Sequence, residues 1–226
     1  MTTKVLIVYY STFGHVYRLA RAVEEGAFKF SGAEVRLRRV PELEEAKRAL
    51  SGLDSYRQAQ EAQRDVPEGT HDDLRWADGI AWGTPTRFGN MSAQLKQFID
   101  STGPLWQKGE LEDKPAGVFT STSAVQGGHE TTILSTMIPL LHLGMAVLGT
   151  PYGQNPQLLT TESIGSSPYG PGTIAGIDGS LQPKAPDLDT ARNLGLRIAR
   201  FACAVRTVCA EGPHGLQDDA YSYRAA

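Results

Sequence analysis

Residues 4–10 read Lys-Val-Leu-Ile-Val-Tyr-Tyr, and residues 11–16 continue as Ser-Thr-Phe-Gly-His-Val. A nearly continuous apolar run rich in β-branched and aromatic residues is typical of a strand that is buried on both faces, as in parallel sheets. After the short polar turn, the apolar residues of segment 15–30 recur at helical spacing. This stretch therefore predicts a buried strand, a tight turn and a helix, the start of a βαβ unit.

The rest of the chain repeats this alternation of strand and helix. Further strands are predicted over residues 34–40, 78–84, 115–121 and 145–148, and further helices over residues 92–101, 130–142 and 187–208. Alternating elements of this kind favour right-handed βαβ units and a parallel sheet. The expected fold class is α/β: a three-layer flavodoxin-like fold whose five-stranded parallel sheet has the order 2-1-3-4-5 and helices on both faces.

Two segments are longer than this minimal pattern requires. Residues 41–77 are polar and rich in charge, and residues 150–186 are dense in Gly, Pro, Ser and Thr. Connections of this length are usually functional or disordered. We predict one flavodoxin-like domain over residues 1–209, with insertions at 41–77 and 150–186, followed by a C-terminal tail over residues 210–226.

The composition narrows the class of protein. The formal net charge is −3 and the pI is about 6.0, whereas nucleic-acid-binding proteins usually carry a basic patch and a high pI. No apolar run approaches the roughly 20 residues of a membrane span, and we see no signal peptide, so a cytoplasmic protein is expected. Cys203 and Cys209 match neither a CxxC nor a zinc pattern, and no metal site is expected.

The turn after the first strand is the first candidate binding loop. Free backbone N–H groups and the helix dipole at such a turn favour a phosphate group, and Ser11 and Thr12 can add hydroxyl donors. A GxGxxG dinucleotide motif is absent, so a mononucleotide is favoured over a dinucleotide, with a plain helix cap as the alternative. The candidate cofactor-binding residues here are Ser11, Thr12, Phe13, Gly14, His15 and Val16.

The second candidate loop spans residues 83–92 and follows the third strand. In a 2-1-3-4-5 sheet, the first and third strands flank the switch point, so their loops face one crevice. Backbone N–H groups of this loop can meet a flavin ring, and Arg87 can offset negative charge on it; an ordinary turn with a surface arginine is the alternative. The candidates are Pro85, Thr86, Arg87, Phe88, Gly89 and Asn90.

The third candidate loop follows the fourth strand and is again small, polar and flexible. Its candidate residues are Ser121, Thr122, Ser123, Ala124, Val125 and Gln126. Any one of these loops is a weak signal, but three that open on the same sheet edge predict a mononucleotide with a planar ring system.

These loops resemble those of the WrbA family of FMN-dependent NAD(P)H:quinone oxidoreductases, and the resemblance covers about residues 4–205. Its most specific segments are Gly-Thr-Pro-Thr-Arg-Phe-Gly-Asn-Met at 83–91 and Pro-Tyr-Gly-Pro-Gly-Thr-Ile-Ala-Gly-Ile-Asp-Gly-Ser at 168–180. The Gly-Pro-Leu-Trp segment at 103–106 also fits.

The resemblance implies an FMN site with specific roles for single residues. It implies that Thr86, Arg87 and Phe88 contact the flavin ring, that residues 121–126 lie along it, and that His142 lies near it. It implies that Trp106 covers the flavin face where substrates bind, and that Phe13, where the family usually has Tyr, meets the nicotinamide. It also implies a homotetramer whose sites are completed by neighbouring subunits.

The expected function is transfer of two electrons, as hydride, from NADH or NADPH to a quinone by a ping-pong mechanism at one flavin site. The loops contain no acid–base pair or nucleophile, which is expected when a cofactor carries the chemistry. Three alternatives remain: a flavodoxin-like one-electron carrier, an FMN reductase of azo or nitro compounds, and a regulatory protein that retains the site.

Overall fold

The protein is described by a computed structural model over residues 2–211, and its centre is a parallel β-sheet. The strands are β1 (Thr3–Tyr9), β2 (Ala33–Arg39), β3 (Gly79–Pro85), β4 (Pro115–Thr122), β5 (Ala146–Val147) and β6 (Gly172–Ile174). Their order is β2-β1-β3-β4-β5, which confirms the predicted 2-1-3-4-5 topology.

The edge of the sheet beside β4 differs from the prediction. The short strand β5 pairs with the start of β4, at Pro115 and Ala146, and β6 pairs with its end, at Thr120 and Gly172. Two short strands therefore share the edge position for which the sequence predicts one. The strand β6 escapes the sequence pattern because three residues, one of them glycine, are too few to show a β periodicity.

Helices cover both faces of the sheet. They are α1 (His15–Phe28), α2 (Glu44–Leu50), α3 (Asp54–Ala62), α4 (His71–Trp76), α5 (Ala93–Asp100), α6 (Gly103–Trp106), α7 (His129–His142) and α8 (Ala185–Glu211), with a 3-10 turn at Pro156–Leu158. Side chains alternate across β1, so that Ile7 packs against α1 and α8 and Val8 against the core under α5 and α7. Burial on both faces explains the continuous apolar run from which the fold was predicted.

The first insertion, residues 41–77, folds into α2, α3 and α4. Helix α3 buries Tyr56 and Ala59 against the body of the protein. The side-chain amides of Gln60, in α3, and of Gln63, directly after it, donate hydrogen bonds to the backbone oxygen of Ser11, at 3.2 and 3.0 Å. This insertion therefore supports the turn that follows β1.

The second insertion, residues 150–186, contains the 3-10 turn and β6. Asp187, in the first turn of α8, accepts hydrogen bonds from the backbone N–H groups of Gly165 and Ser166 and from the Ser166 hydroxyl. Burial raises the pKa of this carboxyl, while these three donors act in the opposite direction. The long connection is thus pinned to the start of the last helix.

The last helix runs to Glu211, two residues beyond the predicted domain end at residue 209. The remainder of the predicted tail, residues 212–226, lies outside the described residues. Of the helices within residues 2–211, none combines the length and apolar character that crossing a membrane requires.

Candidate functional site

A cavity of about 350 Å³ lies at the carboxyl ends of β1, β3 and β4. Residues from all three candidate loops line it: Ser11, Thr12, Phe13, His15, Val16, Pro85, Thr86, Arg87, Ser121, Thr122 and Ser123. Loops that are more than a hundred positions apart in the sequence meet here because parallel strands end at the same sheet edge.

The turn 11–16 has the chemistry of an anion-binding loop. The Ser11 hydroxyl oxygen accepts hydrogen bonds from the backbone N–H groups of Gly14 and Tyr17, both at 3.2 Å. Gly14, at the start of α1, has a φ of 89°, in the left-handed region that favours glycine. Within residues 2–211, the N–H groups of Thr12, Phe13, His15 and Val16 have no hydrogen-bond acceptor, and they lie at the positive end of α1.

The loop after β3 forms a tight turn. Arg87 and Asn90 exchange backbone hydrogen bonds of 2.7 and 3.1 Å, and the two residues between them, Phe88 and Gly89, have positive φ angles of 53° and 78°. A positive φ is strained for an aromatic residue. The turn presents the Phe88 side chain fully to solvent, outside the lining of the cavity, and Gly89 and Asn90 also lie outside that lining.

The Arg87 side chain folds back from this turn and joins two loops. Its Nη2 atom donates to the Thr12 hydroxyl at 2.9 Å, and its Nη1 atom donates to the Thr86 backbone oxygen at 2.9 Å. The Thr86 hydroxyl accepts from the buried Thr132 hydroxyl of α7 at 2.7 Å. Arg87 therefore brings a positive charge to the cavity, and hydrogen bonds to Thr12 and Thr86 hold its side chain in place.

The loop after β4 enters the cavity only with its first residues. Ser121 and Thr122 are buried and Ser123 lines the cavity, whereas the other predicted members, Ala124, Val125 and Gln126, are exposed and lie outside the lining. The Thr122 hydroxyl donates to the Ala124 backbone oxygen at 2.8 Å, which turns the loop back on itself.

The cavity has a fourth wall that sequence reasoning did not assign to the site. It is formed by Ala175, Gly176, Ile177, Asp178 and Gly179, which follow β6. The Ala175 backbone N–H donates to the Thr122 oxygen at 2.7 Å, and His15 Nε2 lies 3.0 Å from the backbone oxygen of Leu181. The motif at residues 168–180 could have drawn attention to this segment, but a sequence motif does not show where in the fold the segment lies.

Two histidines hold the chain on either side of this fourth wall to the rest of the site. His15 contacts the backbone oxygen of Leu181, and His129 Nε2 lies 3.2 Å from that of Thr173 and 2.8 Å from the Thr122 hydroxyl. Burial lowers the pKa of both imidazoles, so that the neutral forms are favoured at neutral pH.

Trp106 and His142 lie away from this cavity within the single chain. Trp106 ends α6 with more than half of its side chain exposed. His142 lines a second, larger cavity of about 1250 Å³ between α2, α5 and α7, which Asn90 and Arg87 also line. Of these residues, only Arg87 faces both cavities, so the active-site roles of Trp106 and His142 stay predictions.

The residues around the first cavity fit a flavin mononucleotide. The free N–H groups, the Ser11 hydroxyl and the positive end of α1 suit a phosphate, and polar loop ends surround a cavity of the size that binds small ligands. Within residues 2–211, no cluster of three or more His, Cys, Asp or Glu side chains is arranged to hold a metal ion.

The sheet order and the anion-binding loop after β1 define a flavodoxin-like mononucleotide-binding protein. The fold is similar to that of the "flavodoxin, WrbA-like protein from Agrobacterium tumefaciens", with a TM-score of 0.60, 25% identity, and coverage of 90% of this chain and 99% of the other. The profile of the NADPH-dependent FMN reductase family matches residues 3–156, so the chain belongs to this family.

Two relatives named NAD(P)H dehydrogenase (quinone) match nearly the whole domain. The Aromatoleum aromaticum protein is 48% identical over 202 residues, covering 89% of this chain and 97% of the relative. The Geotalea uraniireducens protein is 49% identical over 199 residues, covering 88% and 97%. The resemblance noted from the sequence motifs is thereby confirmed.

Proposed function

We propose that this chain is an FMN-dependent oxidoreductase that transfers two electrons from NADH or NADPH to a quinone. The observation that carries the proposal is the row of free N–H groups at the start of α1, facing a cavity that three loops enclose. The relatives named NAD(P)H dehydrogenase (quinone), at 48% and 49% identity, support the donor and acceptor classes.

Each wall of the cavity contributes a different part of the binding. The N–H groups of Thr12, Phe13, His15 and Val16 and the Ser11 hydroxyl would hold the phosphate, and the loops after β3 and β4 would contact the ring. Bound FMN supplies the chemistry of accepting two electrons and passing them on. Arg87 faces the cavity and stabilises negative charge that collects on the ring.

The open side of the cavity admits the electron donor and the acceptor. Phe13 lines the cavity with 42% of its side chain exposed, and Ile177 lines it while almost fully exposed. An exposed aromatic ring is a stacking surface for a nicotinamide, although Phe13 lacks the hydroxyl of the tyrosine usual in the family. NAD(P)H and the quinone then use the same space in turn.

Neighbouring copies complete the site in a cytoplasmic homotetramer. Leu134, Ile138 and Leu141 form an exposed apolar stripe along α7, and Trp106 and Phe88 are also exposed. Such a surface is typical of an interface between subunits, and association would bring Trp106 and His142 of one copy towards the cavity of another. Sedimentation of the wild-type protein as a tetramer, and of an Ile138→Glu variant as smaller species, is expected; a wild-type monomer would contradict this assembly.

The function is tested by anaerobic titration of the purified protein. We expect the apoprotein to take up FMN, NADH or NADPH to bleach the flavin absorbance, and benzoquinone to restore it. Steady-state rates should give parallel double-reciprocal lines, because both substrates use one site; intersecting lines would indicate separate sites. Failure to bind FMN would exclude the proposed class, and faster turnover of azo or nitro compounds than of quinones would change the acceptor.

A further inference from the structure

Four hydrogen-bond donors converge on the carboxylate of Glu42, beside the cavity. The Tyr10 hydroxyl donates to Oε2 at 2.7 Å, and the Tyr56 hydroxyl donates to the same oxygen at 3.2 Å. The Gln94 amide and the Leu43 backbone N–H donate to Oε1, at 2.6 and 3.0 Å. We call these five residues the Glu42 cluster; it joins β1, the first insertion and α5.

The cluster is connected to the cavity through Tyr10. The Thr12 hydroxyl donates to the Tyr10 hydroxyl oxygen at 3.3 Å, and Arg87 Nη2 donates to the Thr12 oxygen at 2.9 Å. Tyr10 and Thr12 are both 3% exposed, so this connection is shielded from water along most of its length. It runs from Arg87 through Thr12 and Tyr10 to Glu42.

The chemistry of Glu42 decides the direction of every hydrogen bond in this connection. A carboxylate only accepts, so the single Tyr10 proton must point to Glu42. The Tyr10 oxygen can then only accept, from Gln94 at 3.0 Å and from Thr12. The Thr12 proton is therefore directed inward, and its lone pairs remain for the Arg87 guanidinium, which can only donate.

We propose that Glu42 is a positioning residue for the flavin site, acting through Tyr10 and Thr12 to hold the Arg87 guanidinium at the cavity. This inference rests on the proposed FMN-dependent function. Glu42 and Arg87 are separated by two hydroxyl groups, so that the carboxylate orients the guanidinium without forming an ion pair with it. The positive charge of Arg87 thus stays available to the cofactor.

The test compares two variants, each of which removes a tyrosine hydroxyl group that donates to Glu42 Oε2. Tyr10→Phe breaks the connection to Thr12, whereas Tyr56→Phe removes a hydroxyl that also donates to Glu42 Oε2 but has no link to Thr12. Tyr10 and Tyr56 are similarly buried, at 3% and 5% exposure, so the two substitutions should disturb the packing to a similar extent. The measurements are the FMN dissociation constant of each apoprotein and the two-electron midpoint potential of bound FMN.

We expect Tyr10→Phe to weaken FMN binding by about threefold, less than complete removal of the Arg87 charge, because the guanidinium is loosened but still present, and Tyr56→Phe to keep the wild-type affinity. Of the two tyrosine variants, only Tyr10→Phe should make the midpoint potential of bound FMN more negative, because a loosened Arg87 stabilises the reduced ring less. A Thr12→Val variant, which removes the contact of Arg87 itself, should reproduce both effects if Tyr10→Phe does not fold.

The outcomes separate this inference from the function on which it rests. If the wild-type protein fails to bind FMN, the proposed function is wrong. If the wild type binds FMN while Tyr10→Phe and Thr12→Val match Tyr56→Phe in affinity and potential, Glu42 has no positioning role.

Discussion

The hydroxyl groups of Ser11 and Thr12, neighbours in the sequence, make different hydrogen bonds in the structure. Ser11 and Thr12 are both predicted to offer hydroxyl donors to a phosphate. In the structure, the Ser11 oxygen accepts two backbone N–H groups, which leaves its proton free, whereas Thr12 donates to Tyr10. Only the partners of a hydroxyl group decide its direction, and those partners come from distant parts of the chain.

Replacing Arg87 by alanine tests the residue that joins the loops after β1 and β3. We expect Arg87→Ala to weaken FMN binding by about threefold to tenfold, since a charged donor at a partly exposed site is lost. Arg87→Lys should recover only part of this loss, because an ammonium group lacks the planar fork that bridges Thr12 and Thr86.

Arg48→Ala is the matched control for Arg87→Ala. Arg48 is an exposed arginine of α2 that lines only the second cavity, so its loss removes the same charge at a distance from the proposed ring site. Calorimetric titration with FMN gives both affinities. Equal affinities for Arg87→Ala and the wild type would remove Arg87 from the site.

At the scale of elements, the position of the turn after β1 depends on how closely α1 and α8 pack. A Cβ atom at Gly26 would lie 1.8 Å from the Arg192 backbone oxygen, and one at Gly195 would lie 1.9 Å from that of Val23. Each helix thus places a glycine against the backbone of the other. Because α1 carries the anion-binding turn at its start, this packing also sets the position of the turn.

An alanine at either glycine is expected to force the two helices apart. Overpacking of a core costs about 1–3 kcal/mol, and backbone contact on one side leaves little room for relief, so Gly26→Ala and Gly195→Ala should lower the free energy of unfolding by at least this amount. Chemical denaturation followed by circular dichroism measures the change.

Gly52→Ala provides the comparison for these packing variants. A Cβ atom at Gly52 would meet nothing within 4 Å, so the free energy of unfolding of Gly52→Ala should stay within about 0.5 kcal/mol of the wild-type value. A wild-type free energy of unfolding in Gly26→Ala would show that the helices move apart without cost.

At the scale of the whole molecule, His129 fastens β6 and His15 fastens the segment after β6 to the sheet edge. Burial lowers the pKa of both below the ordinary value of 6.5, although the backbone oxygens of Leu181 and Thr173 act in the opposite direction. The unfolded chain then binds more protons than the folded chain just below pH 6.5. Their contribution to stability is complete above pH 6.5 and falls as the pH drops towards the folded-state pKa values.

We therefore expect the wild-type free energy of unfolding to decrease between pH 7.5 and pH 5.5, and His15→Gln and His129→Gln to show a weaker decrease. Asp187, whose pKa is raised by burial, acts in the opposite sense as the pH falls. Asp187 is present in all three proteins, but it and His129 influence each other's pKa, so the slope difference of His15→Gln isolates one imidazole and that of His129→Gln reports the His129–Asp187 pair. Identical slopes in the wild type and both variants would show that neither imidazole is responsible.

The sequence by itself determined the α/β class and the three candidate loops, because apolar periodicity and turn composition are local properties, and the alternation of strands and helices then predicted the parallel sheet order. Only the tertiary structure decided that residues 175–179 line the cavity, that the Gln60 and Gln63 amides brace the turn after β1, and that a chain of hydrogen bonds connects Glu42 to Arg87. These features depend on contacts between segments far apart in the chain. Distances and hydrogen-bond directions arise only when packing brings such segments together, and no local pattern records them.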